Sequence, residues 1–91
     1  MPNNINKTIL IVDDDIDYLF QLKLQVEKFG FKVIVAESQK EAENLLASVK
    51  PDMAILDLMM ENDDSGFILC YKMKRKYPDV PIIIATAVAA E

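Results

Sequence analysis

The chain has 91 residues, of which 52% are apolar and 27% charged, a composition typical of one small globular domain and not of a disordered segment. Its net charge of −5 argues against nucleic-acid binding through a general positive field. With no histidine and one cysteine, the sequence excludes a histidine-based catalytic triad, an internal disulfide and a zinc site rich in these residues. No apolar run is long enough to span a bilayer, so we predict a soluble, cytoplasmic chain.

Four short apolar runs predict strands. They consist of β-branched and other aliphatic residues without polar alternation, which is typical of strands covered by helices on both faces of a parallel sheet. Amphipathic segments separate the runs, and the resulting β-α-β-α-β-α-β order predicts an α/β fold with right-handed crossovers. The runs lie at 8–12, 32–36, 53–56 and 81–85.

The first amphipathic segment, residues 16–29, predicts a helix that ends at Gly30. Phe20 and Leu24 lie on nearly the opposite side from its main apolar stripe, so they form either a second contact surface or ordinary, partly shielded surface positions. The members of the stripe are Leu19, Leu22, Val26 and Phe29.

The other two amphipathic segments predict shorter helices. Ser38 followed by Glu41 has the spacing of a capping box, so a helix should begin there and end before Pro51. Residues 66–77 predict a third helix, with Cys70 on its apolar side. The basic cluster at 72–76 is expected to form the solvated end of that helix and not a nucleic-acid site.

Acidic side chains follow two of the predicted strands. In open parallel sheets ligands bind beyond the carboxyl ends of the strands, where Asp13 and Asp14 follow the first strand and Asp57 the third. Two carboxylates about 4 Å apart repel by roughly 4 kcal/mol at an effective dielectric of 20, so this crevice needs a proton or a cation. Oxygen ligands favour Mg²⁺, Ca²⁺ or Mn²⁺. We expect Asp15 and Asp17 to serve as helix caps or solvated acids.

One enzyme alternative follows from the first strand. A strand that ends in Asp13-x-Asp15 resembles the first motif of haloacid-dehalogenase-type phosphatases, in which the first aspartate is the nucleophile. The chain shows no convincing later lysine or acidic motif for that scheme. A metal-dependent phosphatase that uses Asp13 remains the enzyme hypothesis.

Three segments together resemble the receiver domain of bacterial two-component response regulators. They are ILIVDDD at 9–15, PDMAILDLMM at 51–60 and PIIIATA at 81–87. The resemblance covers essentially the whole chain and implies a flavodoxin-like, doubly wound parallel sheet with the strand order 2-1-3-4-5. For the four strands of this chain it implies the order 2-1-3-4.

The resemblance also implies residue roles. Asp57 would be the phosphoacceptor, taking a phosphoryl group from a histidine kinase or a histidine phosphotransfer protein. Asp14, Asp57 and the backbone carbonyl of Met59 would hold Mg²⁺, with Asp13 contributing through a water. Thr86 would be the switch hydroxyl. The chain would then be a signalling switch and not a turnover enzyme.

The sequence departs from the family pattern in two places. Glu61 stands where the family usually has a proline, and the chain ends at Glu91, before the family's fifth strand, its lysine and its last two helices. We therefore expect residues 1–91 to form a single receiver domain that is incomplete at its C-terminus. Without a fifth strand, the strand at 82–85 would have one unpaired, apolar edge, which predicts self-association through that edge. A receiver-like interaction module that is not phosphorylated remains an alternative.

Overall fold

The computed structural model describes residues 7–57 and 65–85 and confirms the predicted alternation of strands and helices. Its strands are parallel and lie in the order β2-β1-β3-β4, as the resemblance implied. Within the described segments, none of the helices has the length and apolar character needed to cross a membrane. The elements are β1 (Thr8–Val12), α1 (Ile16–Glu27), β2 (Lys32–Ala36), α2 (Gln39–Leu46), β3 (Met53–Leu56), α3 (Ser65–Lys76) and β4 (Ile82–Ile84).

Helices cover both faces of the sheet. Successive side chains of a strand point to opposite faces, so β1 contributes to two separate cores. On one face, Ile9 and Ile11 pack with Leu19 of α1. On the other face, Leu10 and Val12 belong to the core that α2 and α3 complete. This doubly wound arrangement is flavodoxin-like, and it explains why β1 reads as a continuous apolar run.

The fourth strand differs from its prediction. We expected it to be buried, but Ile83 and Ile84 are 47% and 42% exposed. β4 pairs with β3 along one edge, and among the described residues no strand pairs with its other edge. Apolar character alone could not reveal this exposure, because burial depends on what covers the strand. Self-association along 82–85 stays a prediction.

The first helix ends earlier than its apolar spacing suggested. α1 stops at Glu27, and Phe29 is 66% exposed, so its assignment to the buried stripe was wrong. The backbone tightens after the helix, with the Phe29 N–H donating to the Val26 carbonyl, and Gly30 then adopts a φ of 92°. Because Phe29 lies in this turn, it does not continue the helical stripe. Phe20 and Leu24 are exposed, as predicted.

The start of α2 confirms the predicted cap. The Ser38 hydroxyl oxygen accepts the Glu41 N–H at 3.1 Å. The Glu41 carboxylate accepts the backbone N–H of Glu37 at 2.8 Å, one residue before the usual partner of a capping box. The helix ends at Leu46, well before Pro51. Local hydrogen bonding therefore determines where α2 begins.

Replacing Ser38 with alanine is expected to lower the free energy of unfolding by about 1 kcal/mol, because the Glu41 N–H loses its acceptor. Urea unfolding followed by circular dichroism measures this change. Ser48→Ala is the matched control, since Ser48 is exposed in the turn after α2 and should leave stability nearly unchanged. Equal losses in both variants would show that the Ser38 cap does not stabilise α2.

The third helix has the buried apolar side and the basic C-terminal end that the sequence predicted. Gly66, Leu69 and Met73 are buried, and Cys70 is partly buried against the same core. The basic residues lie in the last turns, where cations interact favourably with the carbonyl end of the helix dipole. Lys72 forms an ion pair with Glu43 of α2 at 3.0 Å. Hydrogen bonds to Gln39 and Lys72 lower the pKa of the Glu43 carboxyl.

Candidate functional site

The sheet places two aspartates side by side. β1 and β3 are neighbours, and Val12 pairs with Leu56 at their carboxyl ends. Asp13 and Asp57 are the next residues of the two strands. The Asp57 N–H donates to the Val12 carbonyl at 3.0 Å, and the Asp13 N–H donates to the Ala36 carbonyl of β2 at 3.2 Å. Ladder hydrogen bonds therefore hold the backbone of both aspartates at the carboxyl edge of the sheet.

Three carboxylates form a cluster at this edge. Asp13, Asp14 and Asp57 each contribute a carboxylate oxygen, and these oxygens all lie within 4.8 Å of one another. Asp13 is buried, Asp57 is half-buried and Asp14 is exposed. The structure thus brings together three of the predicted site residues. Met59 and Thr86, the other two, lie outside the described residues, so their roles stay predictions.

Burial makes the Asp13 charge unfavourable. Desolvation is the main cause that raises the pKa of the Asp13 carboxyl above its ordinary value, and the negative charges of Asp57 and Asp14 add to the rise. A hydrogen bond from the Asp15 N–H to Asp13 Oδ1, at 2.9 Å, acts in the opposite direction. The cluster therefore gains stability from any cation that offsets its negative charge.

Asp15 supports the site without joining the cluster. Its carboxylate accepts the Tyr18 N–H at 3.1 Å and caps α1, as predicted. The sequence reasoning missed its second role, in which its backbone N–H holds the Asp13 carboxylate. An aspartate that accepts the N–H two residues ahead is a common local turn, so the Asp13-x-Asp15 spacing carried that signal.

The donor atoms of the cluster suit a hard divalent cation. All three side chains offer oxygen, and proteins commonly bind Mg²⁺ through one or two carboxylates together with waters. Burial, and to a smaller extent the charges of Asp57 and Asp14, raise the pKa of the Asp13 carboxyl, so a bound cation would favour its ionised form. The residues present therefore fit such an ion.

Replacing Asp13 with asparagine is expected to raise the melting temperature of the metal-free protein by roughly 4 °C at neutral pH, because it removes a buried like charge. The folded state holds the Asp13 proton more tightly than the unfolded chain does. The free-energy cost of burying the ionised Asp13 carboxylate is therefore absent below the pKa that this group has in the unfolded chain. It is fully present above the raised pKa that the group has in the folded protein. Thermal unfolding across pH measures both effects.

The same variant is expected to be stabilised less than the native protein by added Mg²⁺, because it removes one oxygen anion from the cluster. Asp17→Asn is the matched control, since Asp17 is exposed in the first turn of α1 and lies outside the cluster. If Asp13→Asn destabilised the metal-free protein at neutral pH, the cost of burying the Asp13 charge beside its like-charged neighbours would not be the dominant effect.

Fold and site together define a flavodoxin-like α/β domain with a cluster of three carboxylates at the carboxyl edge of its sheet. Residues 9–91 match the family model of the response regulator receiver domain, and the chain belongs to that family. Response regulator receiver domains are signalling modules of two-component systems.

Known relatives support this membership. The phosphate regulon transcriptional regulatory protein PhoB of Pseudomonas aeruginosa is 35% identical over 89 residues, which are 96% of this chain and 38% of PhoB. The response regulator TrrA of Thermotoga maritima, solved in complex with Mg²⁺-BeF, is 31% identical with a TM-score of 0.83, and the match covers 91% of this chain and 71% of TrrA. This chain spans 34–38% of the length of the curated relatives it matches.

A third relative was solved with a modified aspartate. A response regulator protein from Burkholderia pseudomallei, with a phosphorylated aspartic acid, a calcium ion and citrate, is 28% identical with a TM-score of 0.85. The match covers 93% of this chain and 49% of that protein. Both solved relatives therefore share the fold described above.

Proposed function

We propose that this chain is a phospho-accepting switch in which Asp57 takes a phosphoryl group from a histidine kinase or a histidine phosphotransfer protein. The observation that carries the proposal is the place of Asp57, half-buried at the end of β3 and within 4.8 Å of the carboxylate oxygens of Asp13 and Asp14. Residues 1–91 then act as one receiver domain.

In the proposed transfer, a carboxylate oxygen of Asp57 attacks the phosphorus of a phosphohistidine. The new O–P bond makes an acyl phosphate, and the electron pair of the broken P–N bond stays on the histidine nitrogen. The ladder hydrogen bond from the Asp57 N–H to Val12 holds the backbone of the nucleophile still during the attack.

Mg²⁺ is the cation we propose for the cluster, held by Asp14, Asp57 and the backbone carbonyl of Met59, with Asp13 contributing through a water. When bound, it supplies positive charge that offsets the phosphoryl oxygens and the carboxylates. TrrA, which was solved with Mg²⁺-BeF, supports this assignment. The Burkholderia protein, which was solved with a phosphorylated aspartic acid and a calcium ion, supports phosphorylation of an aspartate.

Thr86 completes the proposal as the switch hydroxyl. It follows Ala85, whose N–H donates to the Leu56 carbonyl at 2.9 Å. Leu56 in turn precedes Asp57, so β3 and β4, which precede the acceptor and the hydroxyl in the chain, end side by side at the same edge of the sheet. A phosphoryl group on Asp57 adds charge and acceptor oxygens, and in this proposal the Thr86 hydroxyl donates a hydrogen bond to one of those oxygens.

The phosphatase alternative, in which Asp13 is the nucleophile, receives less support from the geometry. Asp13 is only 6% exposed, whereas Asp57 is half-buried and more accessible to a substrate. Asp15, the second aspartate of that motif, accepts the Tyr18 N–H as the cap of α1. The remaining alternative is an interaction module that binds the ion without accepting a phosphoryl group.

Intact-protein mass spectrometry after incubation with acetyl phosphate and Mg²⁺ tests the proposal. The expected result is one added phosphoryl group, which is absent when a chelator removes the metal. Thermal unfolding with Mg²⁺ provides the second readout. A melting temperature raised by Mg²⁺ without any added mass would favour the interaction module and contradict phosphorylation of this chain.

A further inference from the structure

Two helices carry exposed apolar stripes that the described residues do not cover. On α1, Ile16, Phe20 and Leu24 recur every four residues and are each more than half exposed. On α3, Phe67 and Tyr71 are 58% and 61% exposed. One such side chain is ordinary on a protein surface, but aligned groups of them are typical of contact surfaces. We call these groups the α1 stripe and the α3 stripe.

The ends of the two stripes carry opposite charge. The first turn of α1 contains Asp17 and follows the acidic cap Asp15, and its last turn has no basic residue. The first turn of α3 has no acidic residue, and its last turn contains Lys74, Arg75 and Lys76. In a chain with a net charge of −5, this basic helix end is a local exception. The two surfaces are therefore both apolar, and the N-terminal end of the α1 stripe is opposite in charge to the C-terminal end of the α3 stripe.

The two stripes of one molecule cannot meet. α1 packs on the face of the sheet that holds Ile9 and Ile11, whereas α3 packs on the opposite face with Leu10 and Val12. We propose that the α3 stripe of one copy docks on the α1 stripe of a second copy. The contact is head-to-tail, so the first molecule keeps an unused α1 stripe and the second an unused α3 stripe, and further copies can add at both ends.

Charge specifies an antiparallel orientation of the docked helices. Asp17 lies at the N-terminal end of α1 and Arg75 at the C-terminal end of α3, so only antiparallel helices bring these two charges together. The same orientation places the positive end of the α1 dipole against the negative end of the α3 dipole. Phe20 and Leu24 then face Tyr71 and Phe67.

The basic end of the α3 stripe is partly ordered before docking. Arg75 Nη1 donates to the Tyr71 hydroxyl oxygen at 3.0 Å, and the guanidinium lies 5.7 Å from the centre of the Tyr71 ring. A side chain that is already held loses less conformational freedom on binding. Tyr71 and Arg75 therefore present one apolar and cationic surface.

The expected contact is weak because the helices are short. Each has 12 residues and is about 18 Å long. An interface of this size falls below the ~1,000 Å² of a stable complex and belongs to the transient class, with a dissociation constant of roughly 0.1–1 mM. The contact needs neither Mg²⁺ nor a phosphoryl group, so it is independent of the function proposed above.

Charge exchange followed by sedimentation equilibrium tests the contact. Over concentrations that reach ~1 mM, the native chain is expected to show a weight-average mass that keeps rising without a plateau at the dimer. Asp17→Arg alone and Arg75→Glu alone should each weaken association about threefold to tenfold. The double variant restores opposite charges and should recover the native association. Lys40→Glu, a charge reversal at an exposed position of α2, should leave the association unchanged.

A mixing experiment gives a second, independent test. Phe20→Ser with Leu24→Ser removes the α1 stripe, and Phe67→Ser with Tyr71→Ser removes the α3 stripe. Each double variant alone should show no association through the stripes, because every copy in that sample keeps only one of the two complementary surfaces. Their mixture should form 1:1 heterodimers and nothing larger, since one intact surface remains on each partner. Circular dichroism serves as the control that both variants are folded.

Three results would overturn the proposal. One is a native chain that stays monomeric at all concentrations. Another is a mixture of two folded variants that does not associate. The third is association that survives the stripe substitutions but is lost in Ile84→Thr, which would assign the contact to the outer edge of β4.

Discussion

Replacing Asp57 with asparagine is expected to abolish phosphoryl transfer to this chain. Asparagine keeps the size and the backbone hydrogen bonds of Asp57, but its amide oxygen is a far weaker nucleophile than a carboxylate. We expect a decrease of at least about 10²-fold in the rate of mass addition from acetyl phosphate with Mg²⁺. Intact-protein mass spectrometry over a time course measures it.

Asp15→Asn is the matched control for this experiment. Asp15 lies near the cluster, and asparagine caps a helix as well as aspartate does, so α1 should begin as before. Asp15 lies outside the three-carboxylate cluster, and its variant should therefore still take up one phosphoryl group. A phosphoryl group that persists in Asp57→Asn and maps to Asp13 would contradict the receiver mechanism and favour the phosphatase alternative.

The Leu10→Ala variant is expected to lose about 3 kcal/mol of unfolding free energy, which is the largest effect on stability that we predict. Leu10 is fully buried in the middle of β1, and its side chain lies in the core that α2 and α3 complete. A domain of this size has a total stability of roughly 5–14 kcal/mol, so the variant should keep about 2–11 kcal/mol and unfold at a clearly lower urea concentration. Urea unfolding followed by circular dichroism measures the loss.

Leu24→Ala removes the same atoms from an exposed position and is the control. Leu24 is 53% exposed, and at low protein concentration its variant should differ from the native protein by less than about 0.5 kcal/mol. Similar losses at both positions would show that the core on the α2 and α3 side does not dominate stability. The contrast therefore tests the assignment of inner and outer surfaces directly.

The location of Leu10 also connects the core to the site. The same strand continues through Val12 into Asp13, and Val12 pairs with Leu56 immediately before Asp57. The packing that fixes β1 against β3 thus sets the separation of the two carboxylates. A core substitution that shifts this pairing is expected to weaken Mg²⁺ binding as well as stability, because the ion requires its ligands at closely defined distances.

Local features of the fold followed from the sequence by itself. Strands covered on both faces have no polar side to alternate with, so continuous runs such as 8–12 and 53–56 identified them. The caps Asp15 and Ser38 were predictable because each accepts an N–H only three residues away. Aspartates that end neighbouring parallel strands share one edge, so the grouping of Asp13 with Asp57 was also predictable.

Burial and distance were decided only by the tertiary structure. The apolar run of β4 predicted a covered strand, yet Ile83 and Ile84 are exposed, because covering depends on neighbours that the run itself does not encode. Asp13 and Asp57 both follow buried strands, but Asp13 is the more buried and has the raised pKa. Desolvation and charge repulsion act between segments far apart in the chain, so sequence patterns identify candidate residues while packing determines their ionisation and accessibility.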